Sequence, residues 1–412
     1  MVRARQDTAL RIRVRTIVSS LCAGALLLFG GMRIGADAAP AVVPAPGVYP
    51  HEIVVGSLLD LTGPLGAEGV AIKNGLTMAF DEINAHGGVL GRRIRLVVKD
   101  SRYDADTARA GARALLDQGV FAMIGSNGTP PISATMGMVL KSGILHMFPF
   151  EPAHTAYMPS HQLEFATELP VAAQVQLGVK ALLDQRGTLR VGVLYREDSF
   201  GRAALKGAAH ELARRGLTIT KAETYQPGVH DFSKQIGSLR NAGVELVVLG
   251  SVAQESFSAL TQARRARWFP AFLCPSACYV PEAAALGGRA LDGLYSVATT
   301  PIPYPDLRDR ALREWTQRYE GRFLAVASPQ ALRAYLDARL FAEALRRCGP
   351  HPTPLHFARV LEAMPPWTDP VYGGPPVDYT GSDHMGMHAG FLAQIVQGRW
   401  QSKSGPLDVP VP

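Results

Sequence analysis

The feature that most constrains this chain is a regular alternation of short apolar runs with helix-like patterns. In residues 53–129 an apolar run is followed by a pattern with apolar side chains at spacings of four, four and three, which are Ile72, Leu76, Phe80 and Ile83. This spacing places them on one face of a helix. Two more apolar runs with a second helix pattern between them follow, and the last run leads into a small polar loop at 126–129. Strands that alternate with helices of this length predict a parallel sheet with right-handed crossovers.

The same alternation returns in residues 171–298, after a proline-rich break at 149–170. A second proline-rich crossing at 301–305 precedes three further helix patterns, and the end of the chain has the pattern of a β-hairpin at 388–400. Two series separated by such breaks predict an α/β fold with two lobes, each built on a parallel sheet.

The first 38 residues have the composition of a secretory signal. Five arginines fall within the first 15 positions, an apolar core follows at 17–29, and Ala36-Asp37-Ala38 is a small-residue cleavage pattern. A retained membrane anchor is the alternative, but the apolar core is shorter than the roughly 20 residues that span a bilayer. We therefore expect cleavage after Ala38, a periplasmic mature protein, and an extended proline-rich spacer at 39–50.

The basic charge of the chain is concentrated in that signal. The formal net charge is +7, and residues 1–38 hold six arginines and two aspartates, so +3 is left for the rest. The mature part contains no compact run of lysine and arginine. A nucleic-acid partner is therefore not expected.

Three cysteines follow the signal, Cys274, Cys278 and Cys348. An exported protein meets oxidising conditions, in which disulfides form and persist. Both a Cys274–Cys278 bridge and free buried thiols are compatible with the sequence, and the odd number leaves at least one cysteine unpaired within the chain.

Motifs of catalysis and metal binding are weak. The run Gly125-Ser126-Asn127-Gly128 differs from the Gly-x-Ser-x-Gly nucleophile motif, because its second glycine comes one residue too early. Asp383, His384 and His388 are metal-ligand types, but extended residues four apart lie about 13 Å apart. We expect no enzymatic activity, no metal and no cofactor.

The residues that indicate a ligand-binding site are small polar or aromatic residues that follow predicted strands. Ligands bind at such positions in open α/β sheets. These residues are Ser126, Asn127, Gly128, Thr129, Phe150, Glu151, Phe200, Gln254 and Ser276. The backbone N–H groups and hydroxyls of the loop at 126–129 suit an anion or an amide oxygen. Thr129 before Pro130-Pro131 also fits a helix N-cap, for a helix expected at 133–141.

Five segments, in this order and behind a signal peptide, resemble the type I periplasmic binding proteins of ABC transporters, in the leucine/isoleucine/valine-binding group. The segments are VGSLLDLTGPLGAEG, INAHGGVLGRRIRLVVKDSRYDADTA, IGSNGT, LYREDSFG and ALRAYLDARLFAEALRRCG. The resemblance implies two Rossmann-like lobes joined by a three-strand hinge, with the ligand cleft between them. It divides the chain into lobe 1, residues 51–169 and 301–370, and lobe 2, residues 170–300 and 371–412. It also implies a small-molecule ligand, an inner-membrane ABC permease as partner, and a monomer.

The resemblance assigns roles residue by residue. Thr129 matches the hydroxyl residue that holds the ligand carboxylate in the amino-acid binders, and Glu151 lies in the segment that matches their second contact loop. Phe200 and Ala253 stand at or near two tyrosine positions, and Ser276 stands where those proteins place the glutamate that binds the ligand ammonium. These departures argue against an ordinary aliphatic amino acid, because a buried ammonium without partners is costly. Glu151 is a candidate substitute, and a salt bridge at the surface of the hinge is the alternative role for it.

The sequence therefore predicts an exported, non-catalytic solute-binding protein that closes on an amino acid, an amide or a small carboxylate and presents it to a permease. A ligand sensor of the same fold that feeds a signalling partner is the alternative, and the sequence does not separate the two.

Overall fold

The computed structural model describes residues 44–150, 161–281, 283 and 288–409. The predicted signal peptide, the start of the spacer, and Glu151 lie outside the described residues. Within the described ranges, no helix combines the length and the apolar composition that a membrane crossing requires.

The first sheet has five parallel strands in the order β2-β1-β3-β4-β5. The strands are β1 (Glu52–Leu59), β2 (Arg93–Asp100), β3 (Ala122–Ile124), β4 (Leu145–Met147) and β5 (Glu164–Phe165). The connecting helices are α1 (Gly66–Ala85), α2 (Ala105–Asp117) and α3 (Thr129–Lys141). The carboxyl ends of β1, β3 and β4 lie side by side, so the loops that follow them meet at one edge of the sheet.

The second sheet follows the order β14-β13-β10-β9-β8-β6-β7, and the short β15 pairs with β13. Its parallel strands are β6 (Val191–Arg196), β7 (Lys221–Tyr225), β8 (Leu246–Gly250), β9 (Ala271–Cys274) and β10 (Leu294–Ala298). The antiparallel strands at the end are β13 (Ala389–Val396), β14 (Arg399–Ser402) and β15 (Leu407–Asp408). The helices of this lobe are α4 (Val171–Arg186), α5 (Ser199–Arg214), α6 (Ser233–Asn241) and α7 (Ala253–Arg265).

Three late helices return to the core of the first sheet. They are α8 (Arg310–Phe323), α9 (Pro329–Cys348) and α10 (Pro354–Ala363). Helix α9 packs closely along α1, and a Cβ added at Gly75 of α1 would lie 2.2 Å from the carbonyl oxygen of Ala331 in α9. Only glycine permits this approach, so the two helices are in backbone contact.

The chain crosses between the lobes three times: from β5 to α4, from β10 to α8, and from the small hairpin of β11 (Trp367–Asp369) and β12 (Tyr372–Val377) to β13. Two of these crossings are hydrogen-bonded at Ala166, whose N–H donates to the His384 carbonyl at 2.9 Å and whose carbonyl accepts from the Gly386 N–H at 2.8 Å. The predicted fold class, α/β with two lobes and parallel sheets, is confirmed.

The lobe boundaries predicted from the sequence remain a proposal. One segment that they assign to lobe 2 packs in the core of the first sheet. Val377, Tyr379 and Met387 join the core of the first sheet, although the predicted division places residues 371–412 in lobe 2. The phenol of Tyr379 explains this placement, since it donates to the Ala166 carbonyl at 2.8 Å beside the first sheet.

Candidate functional site

A small cavity lies between the lobes and takes its walls from both of them. The first-lobe residues around it are Glu68, Phe150, Pro329 and Gln330, the second-lobe residues are Ser276, Tyr279 and Ala298, and the crossing segments add Glu168, Thr299 and Thr300. Its volume of about 20 Å³ is enough for about one water molecule. It adjoins two larger spaces, one of about 490 Å³ that shares Glu68 and Gln330, and one of about 350 Å³ that shares Tyr279 and Thr299.

The lobes are in contact beside this cavity. Arg196, at the end of β6, places its guanidinium carbon 5.0 Å from the centre of the Tyr103 ring of the first lobe. Asp198 fixes that guanidinium through a 2.8 Å contact to Nε. Leu65 and Tyr103 also form a buried apolar cluster with Val252 of the second lobe. The described arrangement is therefore a closed one.

Tyr103→Ala is expected to shift the lobes toward an open arrangement. The substitution removes a cation–π contact and an apolar contact that exist only when the lobes meet. We expect a larger radius of gyration by small-angle X-ray scattering, with an unchanged circular dichroism spectrum. Tyr49→Ala, at a 43% exposed tyrosine, is the control, and an unchanged radius for Tyr103→Ala would contradict this role.

The loop at 126–129 follows β3, as predicted, and is buried. The Asn127 side chain is held within the first lobe: its Oδ1 accepts from the Asp60 N–H at 2.7 Å, and its Nδ2 donates to Glu68 Oε1 at 3.1 Å. The Ser126 hydroxyl accepts from the Leu58 N–H at 3.4 Å. These contacts tie the loop to the end of β1 and to the segment after it, and the Asn127 amide positions Glu68.

Helix α3 begins at Thr129, four residues before the predicted start. The prediction that Thr129 is the N-cap is wrong, because Gly128 occupies that position with a φ of 90°, a conformation that glycine adopts without strain. Pro130 and Pro131 have no N–H group. The backbone N–H donors at this terminus are therefore limited to those of Gly128 and Thr129. The anion site expected there thus has fewer donors than an ordinary helix N-terminus.

The other predicted site residues fall into three groups. Phe150 and Ser276 line the cavity. Phe200 is completely buried in the core of the second lobe. Ala253 is half-buried at the start of α7, and Gln254 beside it is exposed. The ligand contacts of all of them remain proposals.

A disulfide supports the second-lobe wall of the cavity. Cys274 and Cys278 are bonded, with their Cα atoms 6.0 Å apart, and they enclose the turn that carries Ser276. The Ser276 N–H donates to Gln174 Oε1 at 2.8 Å, which anchors the turn to α4. Cys348 is a buried free thiol, and burial raises its pKa.

Sequence reasoning did not single out the two acidic residues of the cavity, Glu68 and Glu168. Both are 9% exposed, and burial raises the pKa of each carboxyl to about 7. For Glu68 the hydrogen bond from Asn127 opposes this shift. For Glu168 the positive charge of Arg333 opposes it and the negative charge of Asp337 adds to it.

The residues considered for a metal have other partners. His384 is buried and contacts Glu362 at 3.1 Å and the Glu164 carbonyl at 2.8 Å, while His388 contacts Asp383 at 3.5 Å. Across the described ranges, no group of three or more His, Cys, Asp or Glu residues could hold a metal ion.

Comparisons with known proteins identify the family. The sequence model for periplasmic binding proteins matches residues 52–399. The Leu/Ile/Val-binding protein homolog 7 of Brucella suis biovar 1 (strain 1330) is 25% identical over 318 residues, which cover 72% of this chain and 77% of that protein.

Solved structures have the same fold. A fatty acid ABC transporter substrate-binding protein from Thermomonospora curvata superposes with a TM-score of 0.80 at 22% identity, over 90% of this chain and 98% of that one. A branched-chain amino acid ABC transporter protein from Thermus thermophilus with bound valine gives a TM-score of 0.78 at 18% identity, over 87% and 97%. The chain therefore belongs to the type I periplasmic binding proteins, in the leucine/isoleucine/valine-binding group, whose members bind substrates and are not enzymes.

Proposed function

We propose that this protein is exported through a cleaved N-terminal signal peptide, captures a small organic solute between its lobes, and delivers it to an inner-membrane ABC permease. The observation that carries the proposal is the cavity between the lobes, whose walls combine Glu68 and Phe150 of one lobe with Ser276 and Tyr279 of the other. A ligand held by both walls favours the closed arrangement, because some of its contacts exist only there.

The names of similar proteins supply the first ligands to test. One structural neighbour holds valine and another is named for fatty acids, while the sequence predicts an amino acid, an amide or a small carboxylate. The closed cavity has room for about one water-sized group, so it takes a small polar group of the solute rather than the whole molecule.

The test is a thermal-shift screen of the mature protein with L-valine, L-leucine, octanoate, small amides and aromatic acids. A solute that binds the native state raises the melting temperature as its concentration rises. We expect at least one class to do so. Failure of every compound, with a folded protein shown by circular dichroism, would overturn the proposal.

Delivery to a permease requires a test in cells. A strain that lacks this protein should lose uptake of the solute that the screen identifies, and reintroducing the gene should restore it. Normal uptake in that strain would overturn the transport role and favour a ligand sensor.

Thr129→Ala is expected to raise the dissociation constant for that solute about 2- to 10-fold, which corresponds to the loss of one hydrogen bond. Thr129 is completely buried at the start of α3, in the polar loop that follows β3. Isothermal titration calorimetry measures the change. Thr218→Ala, at an exposed position, is the control, and equal affinities of Thr129→Ala and the control would remove Thr129 from the site.

A further inference from the structure

Two carboxyl groups in the cavity wall have no paired cation among the residues that the structure describes. Glu68, in the first turn of α1, and Glu168, in the first crossing between the lobes, both line the space. In the described part of the chain, neither forms an ion pair with Lys, Arg or His; the charges of Arg333 and Asp337, which pair with each other, act on Glu168. Buried acidic groups without a counter-charge are unusual in a stable fold.

Each carboxyl is held by a neutral donor. The Asn127 amide donates to Glu68 Oε1 at 3.1 Å, and the Thr299 hydroxyl donates to Glu168 Oε2 at 3.0 Å. These bonds fix the orientation of the two groups and leave their charge uncompensated.

A third polar group points to a missing partner in the same cavity. Thr300 lines it and is 2% exposed, and its Oγ1 has no hydrogen-bond partner among the described residues. Buried hydroxyls are nearly always hydrogen-bonded. A donor brought by a ligand would satisfy this oxygen.

The charged groups around the cavity add up to an excess of negative charge. Asp60 lies behind Glu68 and accepts from the N–H groups of Gly63 and Leu65. Arg333 is the cation whose charge acts on Glu168, and Asp337 engages it at 2.8 Å. Its charge is therefore shared between Asp337 and Glu168, while Glu68 and Asp60 form no ion pair among the described residues.

We infer that the solute carries a protonated amino group, which binds in this cavity between the carboxylates of Glu68 and Glu168 and donates a third hydrogen bond to Thr300 Oγ1. The inference rests on the proposed solute-binding function and adds the chemical class of the solute. An ammonium has three donors, which matches the three oxygens. The neighbouring rings of Phe150 and Tyr279 suit the adjacent apolar part of an amine.

The buried charge also predicts how pH acts. Because the empty site favours neutral carboxyls, the energetic penalty of ionising Glu68 and Glu168 is absent below pH 4.5, develops as the pH rises, and is complete above about 7. A bound ammonium favours the ionised forms. Affinity for an amine should therefore fall as the pH is lowered from 8 to 6.

The experiment uses compounds that differ only in their charged groups. L-Leucine is compared with 3-methylbutylamine, which lacks the carboxylate, and with 4-methylpentanoate, which lacks the amine; matched sets for valine and phenylalanine extend the series. Thermal shift and calorimetry at pH 8 measure binding. We expect the amino acid or the amine of at least one set to bind and its deaminated acid to bind at least 10-fold more weakly.

Glu68→Gln and Glu168→Gln test the two carboxyls. Each glutamine keeps an oxygen for the Asn127 or Thr299 donor, so the fold is retained. We expect each variant to weaken amine binding roughly 10- to 100-fold, as for a hydrogen bond to a charged group, and to raise the melting temperature of the empty protein at pH 8 but not at pH 5. Glu314→Gln, at an exposed ion pair with Arg310, is the control.

The outcomes separate the two proposals. If a deaminated acid binds as well as its parent, if the best solute of the wider screen has no basic nitrogen, or if both glutamine variants bind the amine normally, the amine site is overturned and solute binding stands. If no compound of any class binds, the proposed function fails as well.

Discussion

Asp337→Ala is expected to lower the free energy of unfolding by roughly 3–5 kcal/mol, the effect of removing one partner from a buried ion pair. Asp337 is 0% exposed in α9, and its carboxylate contacts the Arg333 guanidinium one helical turn away at 2.8 Å. The substitution leaves Arg333 buried with its main partner lost. Urea denaturation followed by circular dichroism at pH 7 measures the change.

The double variant Arg333→Met/Asp337→Leu distinguishes the charge effect from a packing effect. Replacing both partners by apolar side chains of similar volume is expected to recover most of the stability, because no unpaired charge remains. Arg310→Ala, which breaks an exposed pair of the same i,i+4 spacing, should change stability by less than about 1 kcal/mol. A loss below 1 kcal/mol in Asp337→Ala would show that this pair is not needed for the fold.

Phe121→Ala is expected to cost roughly 3–5 kcal/mol, the range for a fully buried phenylalanine. The ring of Phe121 is 0% exposed and packs edge-to-face against Phe357 and Phe341, with ring centres 6.0 and 6.4 Å away. It thus joins the segment before β3 to helices α9 and α10, which lie more than 200 residues later in the chain. Removing it leaves a cavity at the centre of the first core.

Phe269→Ala is the matched control for this cavity. Phe269 is 67% exposed, so its removal should change stability by less than about 1 kcal/mol. Differential scanning calorimetry of both variants gives the comparison. Equal melting temperatures would contradict the central position of Phe121.

The sequence predicts the fold well because local patterns determine it. Ile72, Leu76 and Phe80 lie on the buried face of α1, as their spacing predicts. Asp104 is the N-cap of α2 and accepts from the Thr107 N–H at 2.8 Å, as is typical of an aspartate before a helix. The predicted start of α3 at 133 is four residues too late, because Pro130 and Pro131 lie inside the first turn of the helix, where proline is tolerated.

The site is less predictable because its chemistry depends on distant parts of the chain. Phe150 and Ser276 follow strands, and the strand-end rule found both of them. In the sequence, Glu68 does not indicate a binding site, because acidic residues are common in the first turn of a helix. The burial of Glu168 depends on Thr299, which is 131 positions away, and no local pattern reports that pairing.

The contact at Gly75 has a consequence for how the site discriminates between solutes. Helix α1 begins beside Glu68, and α9 begins at Pro329 and Gln330, so the two helices whose backbones touch at Gly75 and Ala331 both start at the cavity. Because their backbones are in contact, α1 and α9 form a rigid pair, and they present a first-lobe wall of fixed shape to any solute. Selection then depends on how closely the opposite lobe can approach. A solute that is too bulky keeps the lobes apart, and the closed surface that the proposed permease would recognise does not form.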